Sequence, residues 1–387
     1  MVNQNNLRAR LDELKQADLY RSRRVIDAVQ GVFLQVGGRK LLNFCSNDYL
    51  GLAGHPEVVA AFQNAADKYG VGSGSAHLVC GHGHEHNALE QELADFTGRT
   101  RALLFSTGYM ANLGVITALI GKNDVIYQDR LNHASLLDGG MMSGARFKRY
   151  LHADMYNLQQ KMQARSAQQK AMVVTDGVFS MDGDYAPLGQ LAEIAQQQSA
   201  YLMVDDAHGF GVLGASGAGL VEQCQLDQQQ VPVLVGTLGK AFGTSGAFVA
   251  GSETLIETII QSARSYIYTT ALPPAIAAAT RTSLHYIKHD NWRRDKLKAL
   301  IQRFQSGVGQ IGLSLLPSES AIQPIVLGSS QHALRASDYL FQQGFWVSAI
   351  RPPTVPQGSA RLRITLSALH TEQQIDQLLS ALESLPR

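Results

Sequence analysis

Lys240 stands alone among glycines and small residues in GTLGKAFGTSG (236–246), directly after the apolar run VPVLV. A surface lysine ordinarily sits among polar neighbours on a helix face; this one follows a run with the character of a buried strand. Two chemistries use a lysine so placed. A phosphate-binding P-loop needs G-x-x-x-x-G-K-[ST], but here Gly236 and Gly239 are too close together and Ala241 takes the place of the Mg²⁺-binding hydroxyl. A lysine that bonds a carbonyl needs a partly desolvated amine and neighbours small enough to admit a flat partner. The second set of requirements is met.

Three other apolar runs end in polar residues. YLMVDDAHGFGVLG carries Asp205 and His208 at its end. A carboxylate there is costly to bury without a cation, and a protonated pyridine nitrogen is one such cation. LLFSTGYMANLG runs through Ser106, Thr107 and Gly108 into a helix opening near Tyr109. Free N–H groups at a helix start suit a phosphate, although a plain capped turn would read the same way. VVTDGVFSMDGD places Ser180 in a Gly/Asp-rich loop; Asp176, Asp182 and Asp184 lack the spacing of a calcium loop, so a turn is expected. Lys240 for an aldehyde, Asp205 for a ring nitrogen and a helix N-terminus for a phosphate together describe pyridoxal 5'-phosphate (PLP). By contrast, His82, His84 and His86 beside Glu85 and Glu90 do not form H-E-x-x-H. They read as a loop entering a helix, with no metal site expected.

The elements that must position these residues follow from hydrophobic pattern. Strands are predicted over 101–105, 124–129, 170–178, 200–206, 231–237 and 246–251, with helical segments such as ANLGVITALIG and LGQLAEIAQQQ between them. Continuous apolar strands alternating with helices predict an α/β fold with a mostly parallel central sheet flanked by helices, whose ligands gather at the strands' carboxyl ends. Leu7, Leu11 and Leu14 predict a short N-terminal amphipathic helix, followed by RSRR (21–24). Pro273 and Pro274 open a long helix, after which AIQPIVLG, GFWVSAI and ARLRITLS read as strands of a smaller C-terminal α+β domain. The expected division is an N-terminal helix and arm (1–45), a large domain (46–280) and a small domain (281–387). A glutamine-rich patch at 223–230 reads as an exposed loop.

Composition narrows the function classes. Among 387 residues, 33 basic and 32 acidic side chains nearly cancel, which gives no case for a nucleic-acid or membrane surface. The N-terminus lacks a signal-type apolar region, and no run approaches the roughly 20 apolar residues of a membrane span. Three scattered cysteines form neither a disulfide framework nor a zinc pattern. A cytoplasmic enzyme is expected.

Six segments carry a family resemblance: NFCSNDYLGL (43–52), GSGSAHLVCG (72–81), LNHASLLDG (131–139), VFSMDGDYAPL (178–188), VDDAHGFGVLG (204–214) and TLGKAFGTSG (237–246). They resemble the α-oxoamine synthases, fold-type I PLP-dependent transferases that condense an amino acid with an acyl thioester. The resemblance implies that Lys240 bonds the cofactor and serves as catalytic base, and that Asp205 pairs with the pyridine nitrogen. It further implies His208 and Ser180 at the phenolic oxygen, His133 stacked on the ring and taking part in substrate binding or proton transfer, and Gly108, Tyr109 and Thr237 at the phosphate. Thr269 or Thr270 would complete the site of a partner subunit in a homodimer with active sites at the subunit interface. Arg21, Asn47, Arg351, Thr354 and Arg363 would surround the substrates, with the carboxylate ligand open between Arg351 and Arg363. Tyr109 departs from a frequent phenylalanine. AIRPPTVPQGSARLRITLSALH (349–370) resembles the branch that joins L-alanine to a pimeloyl thioester, carried by coenzyme A or acyl carrier protein, in biotin biosynthesis. Sister synthases using glycine or serine are the alternative; a P-loop protein is disfavoured by the spacing at Lys240, and a silent scaffold by the complete set of site residues.

Overall fold

Seven short strands, all but the edge strand β5 (Arg146–Tyr150) buried over at least four of their residues, form the central sheet of the larger of two compact units. The computed structural model describes residues 4–27, 30–166 and 168–386. One unit contains residues up to Tyr49, the tip Met181–Gly183, and Asp295 onward; the other contains Leu50–Ser180 and Asp184–Arg294.

The chain opens with α1 (Gln4–Gln16), β1 (Phe33–Val36) and β2 (Arg39–Asn43). Helix α1 is where the leucine spacing predicts it, yet Leu7 and Leu11 stay exposed. The antiparallel β1–β2 pair was not among the predicted strands, because four or five residues of mixed polarity give little periodicity to read.

The larger unit continues with α2 (Pro56–Tyr69), a π-helical turn (His77–Gly81), α3 (His84–Thr97), β3 (Arg101–Phe105) and α4 (Gly108–Leu119). Next come β4 (Val125–Asp129), α5 (Ala134–Met142), β5 (Arg146–Tyr150), α6 (Met155–Gln163), β6 (Ala171–Asp176) and α7 (Leu188–Gln197). It closes with β7 (Tyr201–Asp205), α8 (Leu220–Gln223), β8 (Val233–Thr237), β9 (Ala247–Gly251), α9 (Glu253–Ser262), α10 (Arg264–Ile267) and α11 (Pro274–His289). The strand order is β3-β9-β8-β7-β6-β4-β5. Only β9 runs antiparallel to its neighbours, so the mostly parallel sheet is as expected. Edge strand β5, RFKRY, escaped the sequence reading because its charges hide the strand pattern. Strand β8 starts two residues later than predicted, at Val233, after Pro232, which lacks the N–H a ladder needs.

Leu103, Val115, Ile126, Val174, Met203 and Val235 belong to one buried cluster beneath this sheet. Fully burying such a side chain is worth about 1.5–3 kcal/mol, so the strands that end at the polar residues are among the best-anchored parts of the unit.

The smaller unit adds α12 (Asn291–Gln310, which enters it at Asp295), β10 (Ile322–Gly328), α13 (Ser330–Gln342), β11 (Phe345–Trp346), β12 (Ser348–Ile350), β13 (Ala360–Thr365) and α14 (Glu372–Glu383). GFWVSAI, predicted as one strand, is two: β11 runs parallel to β2, whereas β12 pairs antiparallel with β13. The break at Val347 hands the chain from one three-stranded sheet to another.

Candidate active site

The carboxyl ends of β6 and β7 bring two acids side by side, since the parallel register pairs Asp176 with Asp205. Both are buried, Asp205 to 6% exposure. The Asp205 carboxylate accepts hydrogen bonds from Asn112 Nδ2 at 2.6 Å and from the Ala207 N–H at 3.1 Å. Burial, and then the neighbouring Asp205, push the Asp176 pKa well above the carboxylate range, opposed by the His133 N–H and the charge of Lys240.

His133 is the N-cap of α5. Its own N–H donates to Asp176 Oδ2 at 2.6 Å, and its Nδ1 lies 2.7 Å from Ser135 Oγ. The ring keeps solvent-exposed surface but is crowded by protein, and that desolvation is the main cause of its lowered pKa. Asp205 and Asp138 pull the value back up, and Lys240 pushes it further down. Lys240 is thus close enough to act on both His133 and Asp176.

The Lys240 turn is built by local hydrogen bonds. Gly243 N donates to Lys240 O (2.8 Å), Leu238 N to Gly246 O (2.9 Å) and Thr237 Oγ1 to Gly246 O (3.1 Å). Gly243 has φ +68°, and a Cβ there would stand 2.3 Å from Ala53 N, so only glycine fits. The half-buried lysine is therefore held at its backbone by a turn with no room to relax.

Helix α4 begins at Gly108, with Thr107 Oγ1 capping the Met110 N–H at 3.1 Å. A Cβ on Gly108 would meet nothing within 4 Å, which leaves an open cradle over the first N–H groups. Tyr109 does more than lend its backbone: its hydroxyl donates to Asp138 Oδ2, and its ring stands edge-on to His133 at 6.4 Å. That hydrogen bond is the leading cause of its raised pKa. Open N–H groups at a helix start, a half-buried amine and a buried carboxylate at a strand end are a donor set that fits PLP.

His208 is buried in the turn after β7, and Ser180 is half-buried at the end of the hairpin that leaves β6. Thr270 is exposed and Thr269 half-buried; the Thr270 backbone bridges Ala76 and its carbonyl accepts from Ser106 Oγ at 3.3 Å.

A histidine unnoticed in the sequence supports this hairpin. His152 lies between two acids, with Nδ1 3.1 Å from Asp129 and Nε2 2.8 Å from Asp184, and its ring is edge-on to Phe179 at 4.4 Å. Desolvation alone would lower its pKa, but hydrogen bonds to Asp129 and then Asp184 raise it to about 10. The folded value exceeds the unfolded one, so this stabilisation is complete below about pH 6.5 and is lost as pH rises through about 10. H152Q leaves the buried Asp129 without its cation. It is expected to lower stability by about 3–5 kcal/mol at pH 7 and by much less above pH 10, as measured by urea unfolding at both pH values.

Three histidines of the 82–86 stretch and its neighbourhood are engaged in local contacts. His86 contacts the Leu272 carbonyl (2.5 Å) and accepts from Gly83 N, while His77 and His82 meet at 2.9 Å. Among the described residues no three His, Cys, Asp or Glu side chains are grouped to hold a metal.

Apart from His133, which lies in the larger unit, the predicted substrate residues form two groups in the smaller one. Arg363, 8% exposed on β13, directs both terminal nitrogens to Asn47 Oδ1 at 3.4 and 3.3 Å, where the Tyr49 hydroxyl also donates at 3.2 Å. Arg351 donates to the carbonyls of Asp18 and Tyr20, and its own carbonyl accepts from Thr354 N. Burial, then the charge of Arg21, lower the Arg351 pKa. Sequence reading missed Asn112, Asp176 and His152 as members of the site. For Asn112 the available signal is a polar residue within the otherwise apolar start of a helix.

The family model described as Aminotransferase class I and II matches residues 39–382. The 8-amino-7-oxononanoate synthase of Saccharophagus degradans is 59% identical over 99% of this chain and 97% of its own length. That of Cellvibrio japonicus is 60% identical over 97% and 94%. Among solved structures, a serine palmitoyltransferase from S. paucimobilis with bound PLP–myriocin superposes with TM-score 0.93 at 31% identity, covering 98% of this chain and 96% of that one. An 8-amino-7-oxononanoate synthase from Francisella tularensis superposes with TM-score 0.78 at 36% identity, covering 89% and 97%. The backbone is thus shared across branches, while identity near 60% separates them. This chain belongs to the class I and II aminotransferase family, among the 8-amino-7-oxononanoate synthases.

Proposed function

We propose that the protein catalyses the PLP-dependent decarboxylative condensation of L-alanine with a pimeloyl thioester, giving 8-amino-7-oxononanoate, CO₂ and the free thiol carrier in biotin biosynthesis. The observation that carries this reading is the meeting of Asp205, Asp176 and His133 at the carboxyl ends of adjacent parallel strands, within electrostatic reach of Lys240, in a chain of this family. When bound, PLP supplies an electron-accepting ring that stabilises negative charge at the amino acid's α-carbon. Lys240 Nζ would hold the cofactor by its aldehyde and is the base that would move the substrate's α-proton. Asp205 would hold a proton on the ring nitrogen, because its buried carboxylate favours a cationic partner. Gly108 and Tyr109 offer backbone N–H groups to the phosphate, with the Thr237 hydroxyl beside them. His133 would lie against the ring, and His208 and Ser180 would hold its phenolic oxygen.

Arg363 is the better ligand for the alanine carboxylate. Its planar fork, with both terminal nitrogens directed at the neutral Asn47 amide, can bind both oxygens of a carboxylate, whereas Arg351 is engaged by the carbonyls of Asp18 and Tyr20. Arg351, Arg21 and Thr354 then serve the acyl chain. R363K is expected to raise the KM for alanine by about 10- to 100-fold, the loss of a charge-assisted pair. An unchanged KM in steady-state assays, with R351K raising it instead, would reverse the assignment.

A second copy of the chain completes the protein in this reading. The Ala76–Thr270 bridge gathers Leu78, Val79 and Tyr268, at 53%, 77% and 71% exposure, beside Thr269 and Thr270. Exposed apolar residues gathered in this way mark an interaction surface. No helix among the described residues is long and apolar enough to cross a membrane, and the reading places the reaction in the cytoplasm. Product formation from alanine, glycine or serine, each with pimeloyl-coenzyme A and pimeloyl-acyl carrier protein, tests the proposal. Alanine-dependent CO₂ release with a pimeloyl thioester is expected; release with glycine or serine only would assign the chain to a sister reaction.

A further inference from the structure

Asp205 and His133 are joined by a chain of buried hydrogen bonds that passes through one side chain on α4. Asn112, 1% exposed, donates from Nδ2 both to Asp205 Oδ2 (2.6 Å) and to Ser135 Oγ (2.9 Å). Ser135, fully buried, has its hydroxyl 2.7 Å from His133 Nδ1. The His133 N–H reaches Asp176, and the Gly177 N–H returns to the Asp205 carbonyl, which closes a ring across β6 and β7.

The direction of donation around this ring is determined chemically. The other orientation of the Asn112 amide would set its carbonyl oxygen against the Asp205 carboxylate, acceptor against acceptor, so the NH₂ group must face Asp205. The amide keeps this orientation although it leaves Asn112 Oδ1 buried without a partner. Ser135 Oγ accepts from Asn112 and keeps its own hydrogen free to donate to His133 Nδ1, and the next contact selects that direction. The Ser135 backbone N–H, which can only donate, converges on the same nitrogen at 3.3 Å. Two donors on Nδ1 leave the ring proton on Nε2.

We propose that Asn112 is a positioning residue, which orients the Asp205 carboxylate and, through Ser135, fixes His133 as the neutral Nε2–H tautomer. It stands four residues into the helix whose first N–H groups form the phosphate cradle. One rigid element thereby sets the anion cradle, the acid and the histidine together. His133 presents a hydrogen-bond donor, not an acceptor, at its Nε2 edge.

The inference rests on the proposed condensation only for its kinetic arm. Full-length protein labelled with ¹⁵N at histidine, with and without PLP, reports the tautomer directly, the His133 signal being assigned by its loss in H133N. Wild type is expected to show protonated Nε2 and unprotonated Nδ1 at this residue. N112A and S135A are both expected to mix the tautomers, and N112A also to lower kcat by about 10- to 100-fold. S135A leaves the Asn112–Asp205 bond intact and carries the test should N112A fail to fold. A pure Nε2–H signature persisting in S135A and in folded N112A, or a wild-type kcat in N112A, would overturn the inference. A wild type with the expected tautomer but no condensation would count against the function alone.

Discussion

K240A is expected to lower turnover by about 10⁴-fold or more, because it removes the carbonyl-bonding amine and the catalytic base in a single change. The fold should survive. Lys240 is half-buried in a turn held by backbone hydrogen bonds between Lys240 and Gly243 and between Leu238 and Gly246, none of which involves its side chain. Removing an ammonium beside Asp176 and His133 also changes their electrostatics: the lysine's charge lowers both pKa values, so both should rise in the variant. The measurements are single-turnover CO₂ release and borohydride trapping of PLP followed by peptide mapping. Wild type is expected to carry the reduced cofactor on the peptide containing Lys240. Alanine-dependent condensation persisting in K240A, or label on another peptide, would defeat the assignment.

D205N should retain the fold and lose most of the activity. The replacement preserves volume and still offers an oxygen to Asn112 Nδ2, so the cavity stays filled. It removes the negative charge that favours a protonated ring nitrogen. Breaking such a buried pair costs about 3–5 kcal/mol, or roughly 10²- to 10⁴-fold in rate if it is lost in the transition state. Stability by denaturant unfolding of the apoprotein should move little, whereas kcat and PLP retention fall. A variant that keeps more than a tenth of wild-type kcat would show that Asp205 does not hold the ring proton. Because Asp205 also raises the pKa values of Asp176 and His133, both should fall in D205N. That direction is opposite to the one expected in K240A, so the two variants can be told apart by titration as well as by rate.

These expectations rest on parts of the protein with different legibility. Lys240, Asp205, His208 and Ser180 each follow an apolar run that the sequence displays, and the strands they terminate are where hydrophobic pattern predicts them. The turn at Lys240 is also legible, since the glycines it contains are those that a cramped backbone demands. The charged edge strand β5 was not legible, and His152 two residues beyond it went unread for the same reason. GFWVSAI offered one continuous apolar run, and nothing local marks the change of sheet at Val347.

What the sequence by itself determined is the type of each element and the chemistry at its end: a lysine, an acid and a helix start, each predictable from its immediate neighbours. What only the tertiary structure decided is which of those ends meet. Asp176 faces Asp205 because β6 and β7 are adjacent and parallel in one register, and Asn112 reaches Asp205 across 93 residues of chain. The orientation of the Asn112 amide, the proton position on His133 and the raised pKa of Asp176 follow from those meetings. Such properties depend on distance and desolvation between groups remote in sequence, and hydrophobic periodicity, being local, does not encode them.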